Sequence, residues 1–140
     1  MVIVTGPVHD KLKTALELYE SRVSHIVVSG GIASIYFSHA YIHKSAGTPG
    51  RDRGTGWSQE ARLVLCEVRS LGPMPPLPST MSEGFLEVGS IKHELIPLPF
   101  RRKVGARLSL TFVDGGEFEI AGDKPYIELH GVPIYLEDFP

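Results

Sequence analysis

The order of apolar and polar residues divides the chain into a first half with helix-like spacing and a second half of short alternating runs. Val2-Ile3-Val4, closed by Gly6-Pro7, predicts a short buried strand. Asp10 stands as an N-cap, and Leu12, Ala15, Leu16, Tyr19 and Val23 then recur at three- and four-residue spacing. That is the stripe of an amphipathic helix whose other face carries Lys11, Lys13, Glu17 and Glu20. His25-Ile26-Val27-Val28 predicts a second strand that stops at Ser29-Gly30-Gly31. Strand, helix and strand in this order form a right-handed parallel unit.

Residues 32–43 fit two periods. Ile32, Ile35, Tyr36, His39 and His43 share a helical face, whereas Ile35, Phe37, His39 and Tyr41 share one face of a strand, which is the preferred reading. As a strand, this segment makes Ser29-Gly30-Gly31 a hairpin connection and turns the region into a meander. Residues 45–56 are Gly, Pro, Thr and charge, the composition of a mobile loop. Ser58 caps a second helix with Ala61, Val64, Leu65 and Val68 inward, ending near Gly72-Pro73. Four prolines in the six residues Pro73–Pro78 predict an extended link between the halves.

Five strands are expected beyond the link: Phe85 to Val88, Ile91 to Leu98, Arg107 to Val113, Glu117 to Ile120 and Tyr126 to Leu129. The clearest pair alternates Leu108, Leu110 and Phe112 with polar neighbours, turns at Asp114-Gly115-Gly116, and alternates Phe118 and Ile120 with Glu117 and Glu119. Gly122-Asp123-Lys124-Pro125 and Gly131-Val132-Pro133 mark further turns. The expected fold is α+β: two helices packed on a largely antiparallel sheet of five to seven strands, with a C-terminal β-meander. It is read as one domain, 1–140, with a helix-containing half 1–72, a link 73–78 and a β-rich half 79–140.

Composition bounds the function. The 140 residues are 42% hydrophobic and 21% charged, values of an ordinary globular chain with enough apolar content for its own core. A net charge of −2 creates no field for nucleic-acid phosphates or an anionic membrane. Residues 1–70 carry eight Lys or Arg against six Asp or Glu, and residues 71–140 six against ten, so the charge moves from +2 to −4. A single cysteine, Cys66, makes no internal disulfide, and the opening Met1–Gly6 predicts no secretory leader or membrane span, so a cytoplasmic setting is expected.

Candidate chemistry starts at the two glycine turns, Thr5-Gly6 and Ser29-Gly30-Gly31, each placed after an apolar strand where an open α/β sheet binds phosphate. On these residues, positions 2–31 resemble the opening strand-helix-strand of nucleotide- and nucleotide-sugar-using enzymes, some bacterial glycosyltransferases among them. The resemblance implies a phosphate at the turns, with Arg51 or Arg53 closing over it. Neither GxGxxG nor GxxxxGK[ST] occurs in the chain. Arg51 and Arg53 lie on a Gly-rich loop suited to a bidentate clamp on an anion, and Trp57, the sole tryptophan, follows as an anchor or a pocket wall.

His39 and His43 are spaced to hold a transition metal on a helix, but no third ligand accompanies them, and on a strand they lie about 13 Å apart, so no metal is expected. Arg101-Arg102-Lys103 reads as a solvated turn. Asp114, Glu117, Glu119, Asp123 and Glu128, with His130 near, read as a solvent-facing sheet surface that discourages edge aggregation. Neither Cys66 nor Ser29 has an activating base placed beside it by the sequence. With no constellation for catalysis and no cofactor expected, the preferred function is a non-catalytic binding or interaction module that self-associates, a dimer among the options. Tyr36, Phe37 and Tyr41 are its candidate interface. The alternative is a small enzyme or binding protein for a phosphate-bearing metabolite, and it requires parallel strands with both turns at one sheet edge.

Overall fold

The computed structural model describes residues 12–140. Its elements are all strands: β1 (Lys13–Ser29), β2 (Ile32–Ser45), β3 (Gly54–Leu71), β4 (Ser79–Val88), β5 (Ile91–His93), β6 (Leu95–Leu98), β7 (Gly105–Phe112) and β8 (Glu117–Phe139). They form one antiparallel eight-stranded sheet in the order β5-β4-β7-β8-β3-β2-β1-β6. A further pairing of β1 with β4, Arg22 opposite Thr80 and Val23 opposite Ser79, closes the ring β1-β2-β3-β8-β7-β4 into a barrel. The α+β expectation is therefore corrected to all-β: no helix exists among the described residues.

The expected first helix is β1, and its helical spacing has a specific origin. Leu16 and Leu18 are buried two residues apart, as are Ser21 and Val23, but the step between the two pairs is odd. At that step Glu20 adopts a left-handed conformation (φ 70°) and the register with β2 shifts. A β-bulge thus inserts one residue into a period-two pattern and produces the three-residue interval of a helix. Ser21 fills the kink: its hydroxyl donates to the Glu17 carbonyl at 2.6 Å and accepts the Tyr41 amide at 2.9 Å.

The expected second helix is β3. Ala61, Leu63 and Leu65 alternate into the core, while Val64, opposite Ser34 on β2 and Tyr126 on β8, is buried on the other face. Burial on both faces gives a continuous apolar run that periodicity alone does not distinguish from a helix. The strand-helix-strand unit is likewise replaced, because its helix and its second strand are one continuous strand, β1. Its first strand, Val2–Val4, and the Thr5-Gly6 turn lie outside the described residues.

In the second half the hairpin at Asp114–Gly116 is present, joining β7 to β8 with Thr111 opposite Glu117. The two turns expected further on are bends within one strand instead. Lys124 (φ 55°) and Gly131 (φ 72°) let β8 curve without reversing, as closure of a long strand around a barrel requires. The interior holds Leu16, Phe37, Leu63, Leu86, Phe112 and Phe118, all nearly inaccessible, so the barrel is packed rather than hollow. Each such side chain contributes about 1.5–3 kcal/mol on burial.

Candidate functional site

The end of the β1–β2 hairpin is exposed from Ser29 to Ile32. Gly30 (φ 59°) and Gly31 (φ 77°) form the two-residue turn, with Ser29 opposite Ile32. Two consecutive positive φ values match the twist of flanking strands, and glycine adopts them without a steric cost. Below the turn the register runs unbroken from His25–Tyr36 to Ser29–Ile32.

On its other side β1 pairs with β6 from Thr14 to Glu17 and with β4 at Arg22 and Val23. From Ser24 to Ser29 that side has no ladder partner among the described residues. The segment Ser24-His25-Ile26-Val27-Val28-Ser29 contains no Pro, Gly, Lys, Arg, Asp or Glu. Ile26 and Val28 pack against the core, while Val27 and Ile32 are 46% and 47% exposed. His25 stacks on Tyr36 with ring centroids 4.3 Å apart, and the Ser24 hydroxyl donates to the Tyr36 carbonyl at 3.1 Å. These contacts tie β1 to β2 beside the open edge.

A second open edge belongs to β8. Its pairing with β7 ends at Asp123, and the chain before β7 bonds it at Lys124, Pro125 and Ile127 and bridges it at Tyr126. Beyond that point β8 keeps β3 on one side. This edge is built differently. Gly131 is left-handed, Pro133 lacks an N–H, the register with β3 shifts twice between Gly56 and Glu60, and Glu137 and Asp138 follow. Bulges, proline and charge are the devices by which proteins keep edges from pairing. Val132, Ile134 and Leu136 are exposed along it.

A polar cluster links β1, β2 and β8 at the far end of the barrel. His43, 2% exposed, shares a 2.7 Å hydrogen bond between its Nε2 and Glu17 Oε1. Its Nδ1 is buried without a partner, which fits the tautomer in which Nε2 carries the hydrogen and Nδ1 is a bare acceptor. The ring packs tilted on Tyr41 and edge-on to Phe139. Tyr41 donates its hydroxyl to Glu137, and burial followed by that carboxylate raises its pKa well above the phenol value. The imidazole is nearly inaccessible and clasps β2 to β1 through the part-exposed Glu17.

The residues singled out by sequence are spread over the molecule. Ser29, Gly30 and Gly31 form the hairpin turn, whereas exposed Arg51 and Arg53 lie on the loop after the opposite end of β2. Fourteen residues of strand separate the two places, roughly 40 Å along the chain, so no phosphate clamp is assembled from them. The antiparallel hairpin also removes the parallel geometry that the phosphate reading needs. The loop itself is tied by Thr48 and Asp52, whose amides and oxygens bond reciprocally at 2.7 and 2.8 Å.

Arg53 borders an open groove of about 600 Å³ with Lys44, Leu12 and Phe139. Trp57 is half-buried nearby, donating to Thr55 Oγ1 at 2.8 Å beneath the Lys44 ammonium and against Tyr135. Phe37 points into the core and is out of reach of any partner; Tyr36 stays at the surface beside the open edge, and Tyr41 belongs to the clasp. His39 is exposed and hydrogen-bonded to Ser38, while His43 is buried, and no group of three metal-ligating side chains occurs among the described residues. Sequence reasoning missed Val27 as a surface residue and Glu17 and Glu137 as members of the clasp. The signal for Val27 was the uncharged run ending in two glycines, which marks a hairpin arm as well as a buried strand.

No family model matches this chain, and no curated protein or solved structure is significantly similar to it. No helix among the described residues is long and apolar enough to cross a membrane.

Proposed function

We propose that this chain is a non-catalytic interaction module that self-associates by strand addition, acting in the cytoplasm. The observation that carries the reading is the edge Ser24–Ser29: uncharged, rich in β-branched residues, regular from His25 onward, and without a ladder partner on its outer side among the described residues. An edge of this kind exposes a row of N–H and C=O groups and is a template for another strand. Natural sheets defend such edges unless they are used, and among the described residues this one carries only the irregularity at Ser24, whereas the β8 edge adds proline and carboxylates. Main-chain hydrogen bonds supply affinity in strand addition and the alternating side chains supply selectivity.

The test is native mass across a concentration series, for the wild type and for Val27→Lys. Lysine on an edge strand opposes pairing, so the variant is expected to weaken association at least about tenfold, the effect of roughly 1.4 kcal/mol. Val132→Lys, on the defended edge, is expected to associate as the wild type does. A wild-type protein that stays monomeric at the highest concentration reached refutes the reading.

A further inference from the structure

We infer that the exposed proline stretch Gly72–Pro76 docks in a groove of parallel aromatic rings on a partner domain, the kind of groove that recognises a polyproline II strand. The inference goes beyond strand addition and does not rest on it, since it concerns another surface and another partner. Proline has no N–H to give to a ladder, so this stretch binds through its rings and not as an added strand.

Sequence dictates the conformation. The stretch reads Gly72-Pro73-Met74-Pro75-Pro76. A proline ring holds its own φ at about −65° and pushes the residue before it to extended backbone, so the run is biased along its length to polyproline II. Such a helix has about three residues per turn and a rise of about 3.1 Å per residue. The structure carries the same period. The five residues belong to no strand; Gly72 and Pro75, one turn apart, are part-buried, and Pro73, Met74 and Pro76 are exposed.

The part-buried edge is the one the barrel holds. The Gly72 amide donates to the Glu119 carbonyl at 2.8 Å, and Pro75 with the Cδ corner of Pro76 lies over Gly116 in the β7–β8 turn. Leu77 then packs against the core before Ser79 opens β4. Away from the barrel stand Pro73 and Pro76, one turn or about 9 Å apart along the axis, with Met74, 49% exposed, between them in sequence. Two rings at this spacing fill successive slots between aromatic side chains, and a flexible thioether adapts to the wall beside them. The stretch is anchored at both ends and its backbone is already in the form that such grooves take, so docking orders little that is free in solution.

The experiment uses the full chain with isotope-labelled methionine methyl groups and a panel of purified WW and SH3 domains as probes. At least one domain is expected to bind with a Kd below about 1 mM, to shift the Met74 methyl resonance and to leave that of Met81, buried in the core, in place. Pro73→Ala combined with Pro76→Ala is expected to weaken that binding at least about tenfold, and Pro49→Ala, on the loop after β2, to leave it unchanged. Met74→Glu, at an exposed site, reads the same loss without touching the prolines that shape the chain. A panel in which no domain moves Met74 overturns the inference. So does a domain that binds the wild type, the double variant and Met74→Glu with equal affinity. Self-association is read separately by native mass, so either reading can fail while the other stands.

Discussion

Gly56 shows how a missing side chain positions a present one. It lies on β3 between Tyr41 of β2 and Glu137 of β8, and a Cβ there would meet the Tyr41 hydroxyl and ring. The empty position lets the tyrosine cross the intervening strand and donate to Glu137, with its phenol kept protonated by burial and by that carboxylate. Gly56→Ala is expected to displace the ring and cost about 1–3 kcal/mol, the range of an overpacked site. A lower midpoint in denaturant unfolding with an unchanged slope checks it. Tyr41 was an interface candidate from its sequence neighbourhood alone, since nothing local announces a partner 96 residues away.

At the scale of elements, alternation was legible where a strand has one wet face and no bulge. Leu108, Leu110 and Phe112 face Phe118 and Ile120 across the expected hairpin, and the Asp114–Gly116 turn lies where it was read. The reading failed where tertiary structure disturbs the period: at the bulge beside Glu20, and at Leu63-Val64-Leu65, buried on both faces. The candidate edge was half legible. His25–Val28 was recognised as a strand, but its exposure depends on where β4 and β6 stop along β1, which no local pattern encodes. The turn that ends this strand gives a direct test. A Cβ on Gly31 meets nothing within 4 Å, so Gly31→Ala is penalised by its left-handed backbone, about 1–2 kcal/mol. The expected outcome is faster amide exchange confined to Ser24–Ile35, with the rest of the barrel protected as before.

The molecule as a whole is held by one sheet that takes strands from both halves of the chain, so its stability is read globally. His93, on β5, packs edge-on to Phe100, and burial followed by the nearby Arg102 charge lowers its pKa below 6.5. The fold therefore favours the neutral ring. The unfolded chain binds the proton more readily, so this contribution is complete above pH 6.5 and is lost as pH falls through the lower folded-state value. Denaturant midpoints taken on either side of 6.5 should show a loss on acidification that shrinks in His93→Gln. The long ladder between β3 and β8, from Gly54 opposite Phe139 to Leu71 opposite Ile120, bears on how the molecule is made. Its contacts span up to 85 positions of sequence (139 − 54), so loop-closure entropy must be overcome before the ladder repays it. Until β8 pairs with β3, the ring of strands stays open along that flank. Closure of the barrel is thus expected to be slow, and a chain with β3 formed but β8 unpaired exposes strand edges that favour aggregation.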